Sequence, residues 1–308
     1  MPIYSDFKRM GIIQRSPSSL EEGDVFYKDV DKRPCVCYNE YTKRRENTVD
    51  KKKMCWWITE KCNENCVYCF RSLSSINHFT FEEHLKILDK IISFGTDQIT
   101  WSGGEALLVP HATELIKYAK AKGIYNKITT NGKLLTKEKI EELKPYVDLV
   151  ALSIDSLQDK TNVALGRGVE HRETVLNRIQ TLMFEGIKVD VNTVVMRQNI
   201  NDLEEMGAFF QENRLSGKWK LMTFFPVREK ALKNKEYLEI PDELFLKEVQ
   251  RIIKKYADIK ITYMMNDQIQ QQYPGVRANG DLLVTRHSQD RILGNMLDEV
   301  IENPFYIV

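Results

Sequence analysis

Met54-Cys-Trp-Trp-Ile-Thr59-Glu-Lys-Cys62-Asn-Glu-Asn-Cys66-Val-Tyr-Cys69 is an apolar run that breaks into a loop carrying three cysteines. Residues 54–59 read as a short buried strand, too brief for a helix and rich in aromatic and branched side chains. The cysteines are separated by three and then two residues, and Tyr68 stands just before the third. Three thiolates on one loop leave a tetrahedral zinc ion, or a four-iron cluster, one ligand short. An open position is what a catalytic metal needs. A closed zinc site would need a fourth ligand from elsewhere, for instance His78 or Cys55.

Outward from this stretch, short apolar runs alternate with helical periodicity. Strands are expected at 98–101, 127–130, 147–154, 188–195, 219–225 and 259–263, with helices at 81–94, 111–122, 137–143, 172–184, 203–212 and 242–256. Such alternation implies parallel strands joined by right-handed crossovers. At least six units predict an α/β chain folded as a partial (β/α)6 barrel of the TIM type. Its chemistry would collect at the C-terminal strand ends. The expected organisation is an N-terminal extension over 1–53, a barrel core over 54–226, and a small C-terminal α+β segment over 227–308 on the substrate side. In that segment Ala-Asn-Gly-Asp at 278–281 marks a hairpin turn.

Each motif sits at or near an expected strand end. Trp101-Ser-Gly103-Gly104-Glu105 follows the second strand. Its glycines let a ligand reach the backbone where a Cβ would block it. Their carbonyls, with the Glu105 carboxylate, suit a protonated or metal-bound amine. Thr129-Thr130-Asn131-Gly132 and Ser153-Ile-Asp155-Ser156 follow the third and fourth strands. Their short hydroxyl, amide and carboxylate groups can bond a ribose or carboxylate, and are equally at home as helix caps. Gly166-Arg167-Gly168 presents a guanidinium suited to bidentate carboxylate binding.

Together these stretches resemble the radical S-adenosylmethionine (SAM) superfamily, closely over 54–226 and in outline over 227–308. The resemblance implies that Cys62, Cys66 and Cys69 hold one 4Fe-4S cluster whose fourth iron is chelated by SAM. Tyr68 would lie beside the adenine, and Gly103, Gly104 and Glu105 would hold the SAM amine. Thr130, Asn131, Ser153, Asp155, Arg167 and Asn192 complete the implied cofactor contacts. An external one-electron reductant such as flavodoxin or ferredoxin, oxygen sensitivity, and cleavage of SAM to a hydrogen-abstracting 5′-deoxyadenosyl radical follow from the same resemblance.

Residues 165–168, 191–197 and the pair Trp219-Lys220 resemble the cyclic-pyranopterin synthase and viperin families. There a lysine two residues before the asparagine contributes to triphosphate binding. Here that position is Asp190, whose carboxylate would repel phosphates. Pyranopterin synthases and the SPASM-twitch branch carry C-terminal cysteines for an auxiliary cluster; no cysteine follows Cys69 here. Arg167, Lys220, Arg228 and Tyr273 are the candidates for the substrate side, with Lys220 and Tyr273 the candidate catalytic residues.

Bulk properties narrow the classes. Lysine and arginine total 45 against 44 acidic residues, a net charge of +1, so no global field favours nucleic acid or an anionic membrane. No run approaches the ~18 apolar residues that span a bilayer, and residues 1–16 lack a signal-peptide core. A soluble cytoplasmic protein is expected. All 6 cysteines fall between Cys35 and Cys69, which reads as metal chemistry in a reducing compartment rather than a disulfide framework. Cys35, Cys37 and Cys55 lie outside the motif. The expected function is a radical SAM enzyme acting on a sugar, nucleoside or nucleotide. Modification of a ribosomally made peptide and a non-enzymatic iron–sulfur or zinc protein are the alternatives.

Overall fold

Seven strands lie side by side in chain order, each parallel to the one before: β1 (Lys53–Trp57), β2 (Gln98–Ser102), β3 (Tyr125–Thr130), β4 (Leu149–Ser153), β5 (Lys188–Val195), β6 (Lys218–Thr223) and β7 (Lys260–Met264). The structure is a computed structural model describing residues 51–70, 79–266, 274–286 and 289–306, which belong to one compact unit, Lys51–Val308. Cys35, Cys37, His78 and Tyr273 lie outside the described residues.

The connections are α1 (Phe81–Ser93), α2 (Ala112–Ala121), α3 (Lys137–Leu143), α4 (Asp159–Ala164), α5 (His171–Phe184), α6 (Leu203–Glu212), α7 (Glu229–Lys233), α8 (Lys235–Leu238) and α9 (Asp242–Lys255). The expected partial α/β barrel is present, with β7 extending the sheet beyond six strands. On the free side of β1, β8 (Gly275–Val276) pairs parallel to it. Then β9 (Asp281–Arg286) and β10 (Gln289–Asn295) add antiparallel strands. The turn between β8 and β9 falls at the expected Ala278–Asp281 stretch, with Gly280 in the left-handed region at φ 86°.

Helices α4, α7 and α8 were not expected. At 6, 5 and 4 residues they are shorter than two turns and show no readable period. The fourth strand begins at Leu149, two residues later than expected. Asp148 instead turns its carboxylate to the Asn126 N–H at 2.8 Å, pinning the start of β3.

Strand alternation sorts the sheet into two faces. On the outer face Met54, Trp56, Ile99, Trp101, Ile128, Val150, Leu152, Val189, Val191, Trp219 and Leu221 share one buried core with apolar residues of the helices. Helix α1 shows the logic: Thr80 and Glu83 close a capping box, and His84, Ile87, Leu88 and Ile91 are buried at helical spacing. The opposite, inner face carries Lys53, Cys55, Thr100, Lys127, Ser153, Asp190, Asn192, Lys218, Lys220 and Thr262. Both faces meet the loops at the C-terminal strand ends, where the motifs lie.

Candidate active site

The cysteine loop leaves β1 and is cradled by the two glycines that follow β2. Gly104 N–H donates to the Thr59 carbonyl at 2.6 Å and Glu105 N–H to the Lys61 carbonyl at 2.8 Å. A Cβ on Gly103 would stand 2.4 Å from the Thr59 oxygen, and one on Gly104 2.1 Å from the Lys61 oxygen. Only glycine admits that approach. On the other side Val67 N–H donates to the Leu165 carbonyl at 3.0 Å, and a Cβ on Gly166 would come 2.5 Å from the Asn65 oxygen.

Cys62, Cys66 and Cys69 sit on this loop as partly exposed thiols outside any disulfide. The Cys62 sulfur accepts from the Glu64 N–H at 3.4 Å and the Asn131 side-chain amide at 3.8 Å, donors that favour a thiolate. Burial pushes the Cys66 thiol up, and Arg167 pulls it back. Among the described residues no group of three His, Cys, Asp or Glu side chains closes round a single metal ion. Three thiols on one short loop, with amide donors aimed at sulfur, fit a cluster that keeps one iron for another ligand. Cys55 faces the sheet interior beside Lys127, and burial pushes its thiol up to about 12.

Asp155, Arg167 and Tyr68 meet in one buried knot. The Asp155 carboxylate accepts from Arg167 Nε at 3.0 Å and Nη2 at 2.8 Å, and from the Tyr68 hydroxyl. Arg167 Nη2 also donates to the Tyr68 oxygen at 2.6 Å, and the second Asp155 oxygen takes the Val194 N–H at 3.0 Å. The side chains of Arg167 and Asp155 are 3% and 1% exposed, so this ion pair is shielded from water. The residues expected to hold a SAM carboxylate and a ribose therefore hold each other, and Tyr68 ties the cysteine loop to both.

Glu105 is also committed to protein groups. Its carboxylate accepts from the Thr130 hydroxyl and the Asn131 N–H, each at 2.9 Å. Burial raises its pKa, and the Asn131 and Thr130 hydrogen bonds oppose that rise. Asn131 reaches back to the cysteine loop through Asn63 Oδ1 at 2.7 Å. Thr130 and Asn131 thus fix Glu105 and the loop to each other.

On the inner face Ser153, Asn192, Lys220 and Thr262 form a row across β4 to β7, each opposite the next. Asn192 Oδ1 and Thr262 Oγ1 are buried without a hydrogen-bond partner. Burial lowers the Lys220 pKa to about 8, helped by Lys127, Lys218 and Lys53, while Asp190 opposes the drop. Asp190 is occupied: Oδ1 accepts the Lys218 N–H at 2.9 Å and Oδ2 lies 3.4 Å from Lys127 Nζ. At the ends of β1 and β2, Trp57, Glu60, Cys69, Phe70, Gly103, Arg228 and Arg277 line a cleft.

The sequence motifs are thus brought together, and Lys220 and Arg228 face the interior and the cleft. Lys53, Lys127, Lys218, Thr262 and Arg277 were not singled out in the sequence. The first four come from four different strands, and only the register between those strands puts Lys53, Lys127, Lys218 and Thr262 on one face with Ser153 and Asn192; Arg277 carries no local signal.

A family model described as the Radical SAM superfamily matches residues 57–210. An S-adenosylmethionine-dependent nucleotide dehydratase of Flammeovirga pacifica is 31% identical over 228 residues, covering 68% of this chain and 78% of that protein. A second protein of that name, from Lacinutrix mariniflava, is 29% identical; the match covers 68% of this chain and 48% of that longer protein. Among solved structures, Streptococcus suis SuiB bound to S-adenosylmethionine superposes with a TM-score of 0.64 at 16% identity, covering 82% of this chain and 65% of SuiB. That likeness concerns the fold.

Proposed function

This chain belongs to the radical SAM superfamily and is a radical SAM enzyme, and we propose that its small-molecule substrate is a nucleotide bound on the inner face of the sheet. Membership implies a 4Fe-4S cluster and SAM, which together supply a 5′-deoxyadenosyl radical able to take hydrogen from an unactivated carbon. Cys62, Cys66 and Cys69 would hold the cluster, with Gly103 and Gly104 leaving room for the SAM amine at the backbone. Ser153, at the end of β4 and opposite Asn192 in the inner-face row, would bond SAM or substrate.

The single observation that carries the nucleotide reading is the inner-face row. Lys220 makes no salt bridge among the described residues, and buried Asn192 Oδ1 and Thr262 Oγ1 have no partner. Buried polar groups are ordinarily paired, so these are groups waiting for a polar ligand. On the same face Lys127 and Lys218 neighbour Lys220, and Lys127 and the Lys218 N–H hold Asp190. The Asp190 carboxylate, expected to repel phosphate, is held by the Lys218 N–H and Lys127, which leaves Lys220 as the cation offered to a phosphate. The names of the two relatives point the same way.

In this reading Lys220 and its lysine neighbours fix the phosphates, and Asn192, Ser153 and Thr262 fix the sugar or base. The reacting carbon is thereby held toward the cysteine loop. Holding the carbon at reacting distance, away from water, is the protein's share of the catalysis. Flavodoxin or ferredoxin is the proposed electron source.

The test is anaerobic reconstitution with iron and sulfide, followed by incubation with SAM, dithionite as the one-electron reductant, and nucleotides deuterated on the sugar. Deuterium appearing in 5′-deoxyadenosine is the expected result. Lys220→Met should weaken nucleotide binding about 10- to 100-fold, the loss of one charge-assisted hydrogen bond. SAM cleavage that ignores every nucleotide but responds to a peptide would sink the nucleotide reading.

A further inference from the structure

The cysteine loop is also gripped from a side that none of the sequence motifs includes. Past the end of β6, three side chains donate to its backbone carbonyls. Lys230 Nζ reaches the Asn65 carbonyl at 2.8 Å and the Asn65 side-chain oxygen at 2.6 Å. Asn234 Nδ2 donates to the Val67 carbonyl at 3.0 Å, and Arg228 Nη1 to the Phe70 carbonyl at 3.0 Å. These carbonyls flank Cys66 and follow Cys69 directly.

Packing supports the same grip. Ala231, next to Lys230 on α7, is fully buried with Leu165, Met196, Phe224 and Leu238 in a small apolar cluster separate from the main core, and Val67 and Tyr68 of the loop rest on it. Arg228 adopts φ 63° and ψ 167°, a backbone region that is ordinarily glycine's. Its other guanidinium nitrogen is held by Asp290 of β10 at 2.9 Å. A strained residue kept in place by a carboxylate from another strand is over-determined by its surroundings.

We propose that the segment 228–234 is a strap that sets the position and the electrostatics of the cysteine loop, with Lys230 and Asn234 as positioning residues. The proposal rests on Cys62, Cys66 and Cys69 being the cluster ligands. Two cationic donors on the loop's carbonyls bring positive charge close to the thiolates. Reduction adds negative charge, so such donors favour the reduced cluster and raise its potential. Outer groups that orient ligands also slow loss of the metal.

The experiment uses the full chain, reconstituted anaerobically with iron and sulfide, as wild type, Lys230→Met, Lys230→Arg and Asn234→Ala. Iron per chain is measured first, then iron release to a chelator and the midpoint of a redox titration followed by electron paramagnetic resonance. Release is expected to be about tenfold faster in Lys230→Met and Asn234→Ala. The midpoint is expected to fall in Lys230→Met and to return in Lys230→Arg. Should Lys230→Met not fold, Lys230→Gln and Asn234→Ala give the same readings. Wild-type release and midpoint in both neutral variants overturn the strap alone. A wild-type chain that takes up no iron overturns the cluster reading and the strap with it.

Discussion

At the scale of single residues, the Asp155–Arg167 pair decides most. Both charges are out of water, so removing one strands the other in a medium that solvates it poorly. Asp155→Ala is expected to lower stability of the metal-free chain by about 3–5 kcal/mol in urea unfolding; a loss near zero would mean that Arg167 finds another partner. Gly104→Ala acts differently, since its Cβ would press 2.1 Å from the Lys61 carbonyl and push the cysteine loop off its seat. Iron uptake after reconstitution should drop while the far-ultraviolet circular dichroism stays unchanged. The glycine was legible in the sequence because its type alone states the constraint. The partnership of Asp155 with Arg167 was not. Both residues carry hydrogen-bonding groups that a ligand would equally accept, and only their placement shows that they take each other.

At the scale of elements, α1 was read correctly because its capping box and its four core residues are local. Its consequence for pH was not visible. His84 is buried against Trp56 and Phe79 and lies 2.7 Å from His111. Burial, and then His111, lower its pKa from 6.5 to about 4. Between those values the unfolded chain binds a proton that the folded chain refuses, so this contribution to stability is full above 6.5 and is lost as pH falls toward 4. The melting temperature of the metal-free chain should therefore fall from pH 7 to pH 5, and fall less in His84→Gln. Equal drops in both proteins would assign the effect elsewhere. Short helix α7 escaped the reading because Lys230 on it and Asn234 at its end are fixed by the cysteine loop, more than 150 residues away in sequence, and α8 because Arg197 and Gln198 hold its carbonyls from the end of another strand.

At the scale of the whole molecule, a net charge of +1 conceals a local concentration of lysine. Parallel strands in chain order put Lys53 of β1, Lys127 of β3 and Lys218 and Lys220 of β6 on one face. Because Lys220 titrates at about 8, an anionic ligand on that face should bind less tightly as pH rises from 7 to 9. Calorimetric titration with a nucleotide at the two pH values checks this, and Lys220→Met should flatten the dependence. An unchanged affinity in the native chain would remove Lys220 from the site.

The sequence by itself determined the alternating α/β order, the cysteine loop and the strand-end motifs, because each is written in residue type at short spacing: period two, period 3.6, glycine where a backbone must approach, thiol where metal is held. Only the tertiary structure decided how those parts are used. It set Asp155 against Arg167, closed Glu105 on Thr130 and Asn131, gathered lysines from distant strands round Asp190, and laid 228–234 across the cysteine loop. Side chains that can satisfy one another or a ligand with the same chemistry are told apart only by distance and burial, and those are fixed when the strands have found their neighbours.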